Sequence, residues 1–473
     1  MSRSAMSGVR EKFDLQKSAC LAAPEVPWAV REDRLERLAQ LVKSNAAAFA
    51  RAISADFGHR SPHETDLLEV FPSLSGIAHA LSHGRRWMRG ERRSTGLWFL
   101  PACSRVMPQP LGVAGIIVPW NYPLYLAIGP LCAALVAGNR AMLKLSEFTP
   151  AFGALFEGLI AKTFAPDEIA VVNGDAAVAA EFSKLPFDHL LFTGSTAVGR
   201  HVMHAAADNL TPVTLELGGK SPAIVAPGYD LAHAAARILL GKCLNAGQTC
   251  IAPDYVLVPE ASEQAFIDAA RACVARMYPQ ILSTPDYSSI VSARHFERLA
   301  GYAEDAQAQG AKLENLAAHA ESPDPVTRRM PPVAITGVKD SMRVMQEEIF
   351  GPLLPVVGYR GIDEAIAYVN ARPRPLALYL FDRDSERIDS VLARTTAGGV
   401  TINDTLLHIA QESLPFGGVG ASGMGQYHGY EGFLAFSKMK PVFRQSRLNG
   451  VGLFNPPYGP RTAKMIVVLK LWA

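Results

Sequence analysis

The sequence is short of cysteine, of net charge and of any uninterrupted apolar run, and each shortage removes a class of protein. Six cysteines in 473 residues (Cys20, Cys103, Cys132, Cys243, Cys250 and Cys273) are too few and too scattered for a disulfide framework. No Cys-x-x-Cys pair or Cys/His cluster offers a metal site, so none is expected. Spread-out thiols fit a reducing, cytoplasmic setting. Forty-six Lys and Arg against 44 Asp and Glu leave a formal charge of +2, with no basic field for nucleic acid and no acidic tail. Near the N-terminus, Arg3, Arg10, Glu11, Lys12, Asp14 and Lys17 have no apolar run between them, which argues against a secretory signal.

Residues 106–139 carry no charged side chain, and 111–138 is strongly apolar. A membrane-spanning helix needs about 20 such residues. Here Pro119, Pro123 and Pro130 interrupt the run and Asn121 would sit in its middle. Each proline inside a helix costs about 3 kcal/mol. The stretch reads instead as a buried strand, a turn and a buried helix. The apolar end at 465–473 is too short to span and contains Lys470, so no stable membrane insertion is expected.

What is present is apolar bulk: 49% hydrophobic against 19% charged residues, in a chain long enough for two or three domains. Helices are expected at 32–57 and 63–90, then extended pieces at 92–110 that form a hairpin or arm. Apolar strands at 113–118, 141–145, 169–172, 189–193 and 213–217 alternate with helices at 124–137, 151–164, 175–184 and 197–208. That alternation implies an α/β, doubly wound parallel sheet. A second alternation has strands at 222–226, 254–259, 332–336, 353–358, 376–381 and 399–402, with helices at 229–243, 262–277, 362–370 and 384–395. The four prolines of 320–332 mark a surface connector. The expected units are 1–91 with 111–218, then 219–425, with 92–110 and 426–473 as a small β arm and tail. Ligands belong at the carboxyl ends of the strands and between the units.

Several residues carry chemistry. The run 192–199 (FTGSTAVG) leaves a strand and opens a helix, where Gly194 permits a tight turn and Ser195 caps free amides that favour a phosphate. Alone it is also an ordinary strand–helix turn. Lys144 and Glu147 end another strand of that sheet, where a carboxylate can accept both hydroxyls of a ribose. Cys250 follows a Gly247-Gln248-Thr249 turn, off any helix core; its reactivity requires the thiolate, a minor species at neutral pH unless a neighbour stabilises it. Glu216 closes an apolar strand before Gly218 and Gly219, a costly place for a carboxylate without a task or a partner. Asn121, between Trp120 and Tyr122, is an uncharged donor suited to an oxyanion, or a simple turn cap.

Together, Pro119-Trp120-Asn121-Tyr122-Pro123, 144–147, 192–199, Glu216-Leu217-Gly218-Gly219-Lys220, Gly247-Gln248-Thr249-Cys250, Glu347-Glu348-Ile349-Phe350-Gly351-Pro352 and Leu414-Pro415-Phe416-Gly417-Gly418 stand in an order and spacing that resemble the aldehyde dehydrogenase superfamily over residues 30–445. The closing run 418–425 (GVGASGMG) is similar to the class 3 branch, and 436–443 with Pro456-Pro457-Tyr458 to its bacterial coniferyl aldehyde members. The resemblance implies NAD(P)-dependent oxidation of an aldehyde to a carboxylic acid through a cysteine thioester, with Cys250 as nucleophile, Glu216 as general base and Asn121 in the oxyanion hole. It implies Lys144, Glu147, Gly194, Ser195, Glu348 and Phe350 as cofactor contacts, with NAD favoured by Glu147 and NADP left open. It places Tyr122 and Phe416 near the substrate, and it implies a homodimer. An aromatic aldehyde is the expected substrate; a medium- or long-chain fatty aldehyde is the alternative. A coenzyme A-acylating relative fits less well, because Glu216 is present.

Overall fold

The computed structural model describes residues 3–319 and 321–471. Residues 1, 2, 320, 472 and 473, which the expected first unit, connector and tail include, lie outside the described residues.

Continuous apolar runs make strands covered on both faces, and the six-stranded sheet shows it. Its order is Gly423–Met424, Val213–Glu216, His189–Thr193, Val113–Ile117, Arg140–Lys144, Ile169–Val172. All are parallel except the first, and Val113–Ile117 is buried at every residue. From the central strand the chain winds outward to 140–144 and 169–172, then returns to 189–193 and winds the other way. The reversal opens a crevice between the ends of Val113–Ile117 and His189–Thr193, where the Asn121 loop and the Gly194 turn emerge. The charge-free run after the central strand becomes the helix Tyr125–Ala137, apolar on all sides because it is buried on all sides; Gly138, with φ 94°, stops it. Among the described residues no helix is long and apolar enough to cross a membrane.

The seven-stranded sheet runs Lys312–Asn315, Val333–Thr336, Leu353–Tyr359, Tyr255–Pro259, Pro222–Val225, Ala377–Phe381, Gly399–Ile402, parallel apart from the first pair. Residues 217–221 alone join the end of Val213–Glu216 to the start of Pro222–Val225. That link is too short for a crossover, so the carboxyl edge of the first sheet meets the amino edge of the second. The expectation of ligand sites at carboxyl ends is thereby corrected for the second sheet. Its site loops, 244–254 and 347–352, precede the strands Tyr255–Pro259 and Leu353–Tyr359.

Glu91–Arg93, Cys103–Pro110 and Ser437–Arg444 form a small antiparallel sheet, as the extended pieces imply. Three readings are revised. Gly423–Met424 pairs with Val213–Glu216 and so joins the first sheet rather than the second unit. The helix expected at 63–90 is Pro62–Thr65, a wide π turn at Asp66–Val70, then Phe71–Trp87; Pro72 removes a hydrogen bond to the preceding turn, and the widened turn accommodates its ring. The second half of the connector is anchored: Arg329 is buried and its Nη1 donates to the carbonyls of Leu282 and Thr284, both at 2.8 Å. Helices Arg3–Ala22, Ala293–Ala308 and Pro460–Leu471 were not read from the sequence.

Candidate active site

The Cys250 loop is built from backbone that most residues avoid. Asn245 (φ 52°), Ala246 (φ 52°) and Gly247 (φ 77°) are successive left-handed residues. Such geometry persists only when surrounding contacts impose it. Glu64 Oε1 accepts the Asn245 N–H at 3.0 Å, and Asn245 Nδ2 donates to the carbonyls of Asn121 (3.0 Å) and Gln248 (3.1 Å). The Gln248 side chain donates to the Ser289 carbonyl at 3.1 Å and accepts the Val291 N–H at 2.9 Å. A side chain at 247 would run into the Gly351 carbonyl. These bonds tie the Cys250 loop directly to the Asn121 loop, whose Nδ2 donates to the Gln248 carbonyl at 3.2 Å.

Two cavities meet here. A crevice of about 470 Å³ is lined by Trp120, Asn121, Gly194, Ser195, Glu216, Cys250, Glu348 and Phe350, among others. An apolar cavity of about 240 Å³ is lined by Leu67, Phe71, Tyr122, Tyr125, Leu126, Ile251 and Cys250, among others. Cys250 is the one residue, among those described, that belongs to both.

The crevice is acidic, with Glu216, Glu347 and Glu348 in its lining. Glu216 is 2% exposed, and neither carboxylate oxygen has a hydrogen-bond partner. Burial alone pushes its carboxyl well above the ordinary range. Burial, then the charges of Glu348 and Glu216, push the Cys250 thiol up to about 12, opposed by the backbone N–H groups of Cys250 and Ile251. Burial raises Glu348 to about 8; the Gly219 N–H, Lys220 and Arg298 pull the other way. Gly218 makes room for that carboxylate, since a Cβ there would overlap it. Phe350 lies edge-on to Trp120, ring centres 5.4 Å apart. His295, beside Trp120, is pushed down to about 4 by burial and stays neutral. Arg298, also in the lining, is occupied by the carbonyls of Glu348 and Ile349.

Gly194 and Ser195 open the helix Thr196–Ala207 into the crevice, and a Cβ at 194 would press on the Phe192 ring at 2.5 Å. Lys144 and Glu147 stand outside the crevice lining, at the end of the adjoining strand Arg140–Lys144, with Lys144 Nζ 3.8 Å from Glu147 Oε2. Tyr122 lines the apolar cavity, its hydroxyl 2.6 Å from Thr249 Oγ1. Phe416 does not line it. Its ring is buried, stacked on His408 and His428, with centres 6.1 and 5.3 Å away.

A profile described as "Aldehyde dehydrogenase family" matches residues 3–442. The chain belongs to the aldehyde dehydrogenase family. It is 52% identical to a Pseudomonas aeruginosa protein named "Probable coniferyl aldehyde dehydrogenase", over 97% of this chain and 95% of that one. It is 40% identical to mouse "Aldehyde dehydrogenase family 3 member A2", over 93% of this chain and 89% of that one. The structure titled "Substrate bound state of Staphylococcus Aureus AldH" superposes with a TM-score of 0.92 at 37% identity, covering 98% of this chain and 99% of that one.

In this aldehyde dehydrogenase a buried charge cluster that the sequence reading did not single out supports both loops. Arg60 and Glu69 are wholly buried, with Arg60 Nη1 2.7 Å from Glu69 Oε1 and 3.2 Å from the Asn121 carbonyl. Glu69 Oε2 accepts the N–H groups of Leu124 (2.7 Å) and Tyr125 (3.1 Å). Glu64, besides holding Asn245, accepts the Ser288 hydroxyl at 2.5 Å. The available signal was slight: Glu64 and Glu69 lie, with Asp66, in a stretch read as a helix, and Arg60 in the gap before it.

Two predictions follow from this geometry. Arg60→Met strands a buried carboxylate and lowers stability by about 3–5 kcal/mol, whereas Arg60→Met with Glu69→Leu recovers part of the loss. Denaturant unfolding of the two variants checks this, and equal losses would show that the pair is uncoupled. Iodoacetamide labelling of Cys250, followed by peptide mapping, accelerates with pH. At pH 9, where Glu348 is ionised, Glu348→Gln labels roughly threefold to tenfold faster than wild type, and at pH 6.5 the two agree. Equal rates at pH 9 would show that Glu348 does not act on the thiol.

Proposed function

We propose that this aldehyde dehydrogenase oxidises an aromatic, coniferyl-type aldehyde to its carboxylic acid, with a nicotinamide dinucleotide as oxidant and an acyl intermediate on Cys250. The observation that carries the reading is the place of Cys250 at the junction of the two cavities. A nucleophile at that junction meets a carbonyl carbon presented from the apolar side, with the hydride acceptor on the other side. The rings of Phe71, Tyr122 and Tyr125 in the apolar lining, and the coniferyl name of the Pseudomonas relative, favour an aromatic substrate.

The crevice fits a dinucleotide. Gly194 lets the turn pack on the Phe192 ring, and the helix Thr196–Ala207 offers free amides to a pyrophosphate. In this reading Gly194 and Ser195 hold the pyrophosphate, Lys144 and Glu147 the adenosine ribose, and Glu348 and Phe350 the nicotinamide ribose. The Glu147 carboxylate accepts from a free 2′-hydroxyl and repels a 2′-phosphate, which favours NAD over NADP. When bound, the dinucleotide supplies the hydride acceptor.

Cys250 Sγ, as the thiolate, attacks the aldehyde carbon. The Asn121 side-chain amide and the Cys250 N–H donate to the resulting oxyanion, each such donor being worth about 10²–10³ in rate. Collapse of the oxyanion releases the hydride and leaves a thioester on Sγ. Glu216 takes a proton from a water that attacks the thioester, so the acid departs and Sγ is regenerated. Aldehyde and water thus yield acid, one hydride and one proton. A carboxylate with no partner is free to take that proton, and its raised pKa makes it a stronger base than an ordinary glutamate.

The reading includes a homodimer. Ser437–Arg444 is an edge strand, and its Phe443, the Phe99 ring against it and the neighbouring Trp98 are about half exposed, at 51%, 49% and 50%.

Stopped-flow absorbance with coniferaldehyde and NAD tests the steps separately. Cys250→Ala forms no NADH. Glu216→Gln gives one equivalent of NADH per site and then turns over about 10²–10⁴ times more slowly than wild type. Unimpaired turnover in Glu216→Gln would assign the base elsewhere. Because the base must be ionised, steady-state turnover of the wild type rises as pH rises through the raised pKa of Glu216; a rate independent of pH between 6 and 9 would contradict that assignment.

A further inference from the structure

The apolar cavity contains one charge that nothing in the protein answers. Its lining includes two charged side chains, Arg237 and Glu412. Arg237 is paired, its Nε 2.7 Å from Asp404 Oδ1. The hydroxyls of Tyr122, Tyr125 and Thr405 are also engaged, with Thr249, His428 and the Arg237 carbonyl. Among the described residues, no donor or cation meets the Glu412 carboxylate, and burial is the cause that raises it, to about 7. The position is also built around it: a Cβ at Gly76 would lie 3.2 Å from Glu412 Oε1, so the glycine in helix Phe71–Trp87 leaves space for the carboxylate. A partly buried, unpartnered carboxylate in the wall of an apolar pocket penalises a ligand that covers it with carbon alone and rewards one that brings a donor.

We propose that Glu412 is a specificity-determining residue that accepts a hydrogen bond from a phenolic hydroxyl on the aldehyde substrate, so that the preferred substrates are hydroxylated aryl aldehydes. The proposal rests on the reading of the substrate as aromatic and narrows it. The aldehyde carbon meets Cys250 while the hydroxyl, at the other end of the ring, takes the place of solvent at the partly buried Glu412 carboxylate. A site built to bond a hydroxyl discriminates strongly against the analogue that lacks it.

The test is kcat/KM for 4-hydroxycinnamaldehyde, 4-methoxycinnamaldehyde, cinnamaldehyde and decanal, in the wild type, Glu412→Gln and Glu412→Leu. The wild type is expected to favour the 4-hydroxy compound over cinnamaldehyde by about tenfold to a hundredfold, with the methoxy compound, which cannot donate, ranking with or below cinnamaldehyde. Glu412→Leu is expected to bring the hydroxy-to-unsubstituted ratio close to one, and Glu412→Gln, which keeps the shape, to an intermediate value. A wild type that oxidises the cinnamaldehydes readily without a hydroxyl preference overturns the proposal and leaves the aromatic reading intact. A preference that survives in both variants assigns the acceptor elsewhere and overturns it as well. A wild type that takes decanal well and all three aryl aldehydes poorly overturns the aromatic reading on which it rests.

Discussion

The burial of an unpartnered Glu216 beside Cys250 is the constraint on which the rest of the molecule depends. Burying a carboxylate without a partner costs several kcal/mol in a protein interior, and the fold accepts that cost at the end of strand Val213–Glu216. What it gains is a group whose proton affinity is set by its surroundings. Burial and the charges of Glu348 and Glu216 likewise hold the Cys250 thiol protonated, so the resting site carries little of the charge that its residue types could supply. Such a site is poised to respond to whatever positive charge enters the crevice, because interactions at low dielectric are strong.

A carboxylate of raised pKa is useful only if the groups stay in register, and strained backbone leads into the junction of the two cavities. Three consecutive left-handed residues aim Cys250 at the junction, and the Asn121 loop is hydrogen-bonded to them. Both loops rest on a segment remote in sequence from either, where Arg60, Glu64 and Glu69 are enclosed by the helices above the first sheet. The meeting of opposite edges of the two sheets explains why those loops approach one another at all. A linker of a few residues at 217–221 permits no other arrangement.

The doubly wound sheet was legible in the sequence because its strands are covered on both faces and so appear as unbroken apolar runs, as at 113–118 and 189–193. The paired cavities bring Asn121, Glu216, Gly194 and Glu348 to Cys250 from five separate loops, an assembly that motif order announced but spacing alone did not. The misplaced features have physical reasons. Glu64 and Glu69 fall where a single helix was expected, and the break at Asp66–Val70 accompanies their burial with Arg60. Phe416 follows a loop that the sequence places near the entrance, yet its ring is held back by His408 and His428. Glu412 sits among polar residues at 411–413 (QES) that give no hint of a cavity wall. The amphipathic helix Ala293–Ala308 carries the apolar period of any surface helix, and its link to the crevice through His295 and Arg298 is a matter of tertiary packing.

The central claim is that Cys250 becomes acylated and that Glu216 governs release of the acyl group. Mass spectrometry of Glu216→Gln quenched during reaction with an aryl aldehyde and NAD addresses it directly. The account predicts one acyl group per chain, mapped to the peptide that contains Cys250 and removed by hydroxylamine. An unmodified Cys250 peptide while NADH accumulates, or an adduct on any other residue, would contradict it.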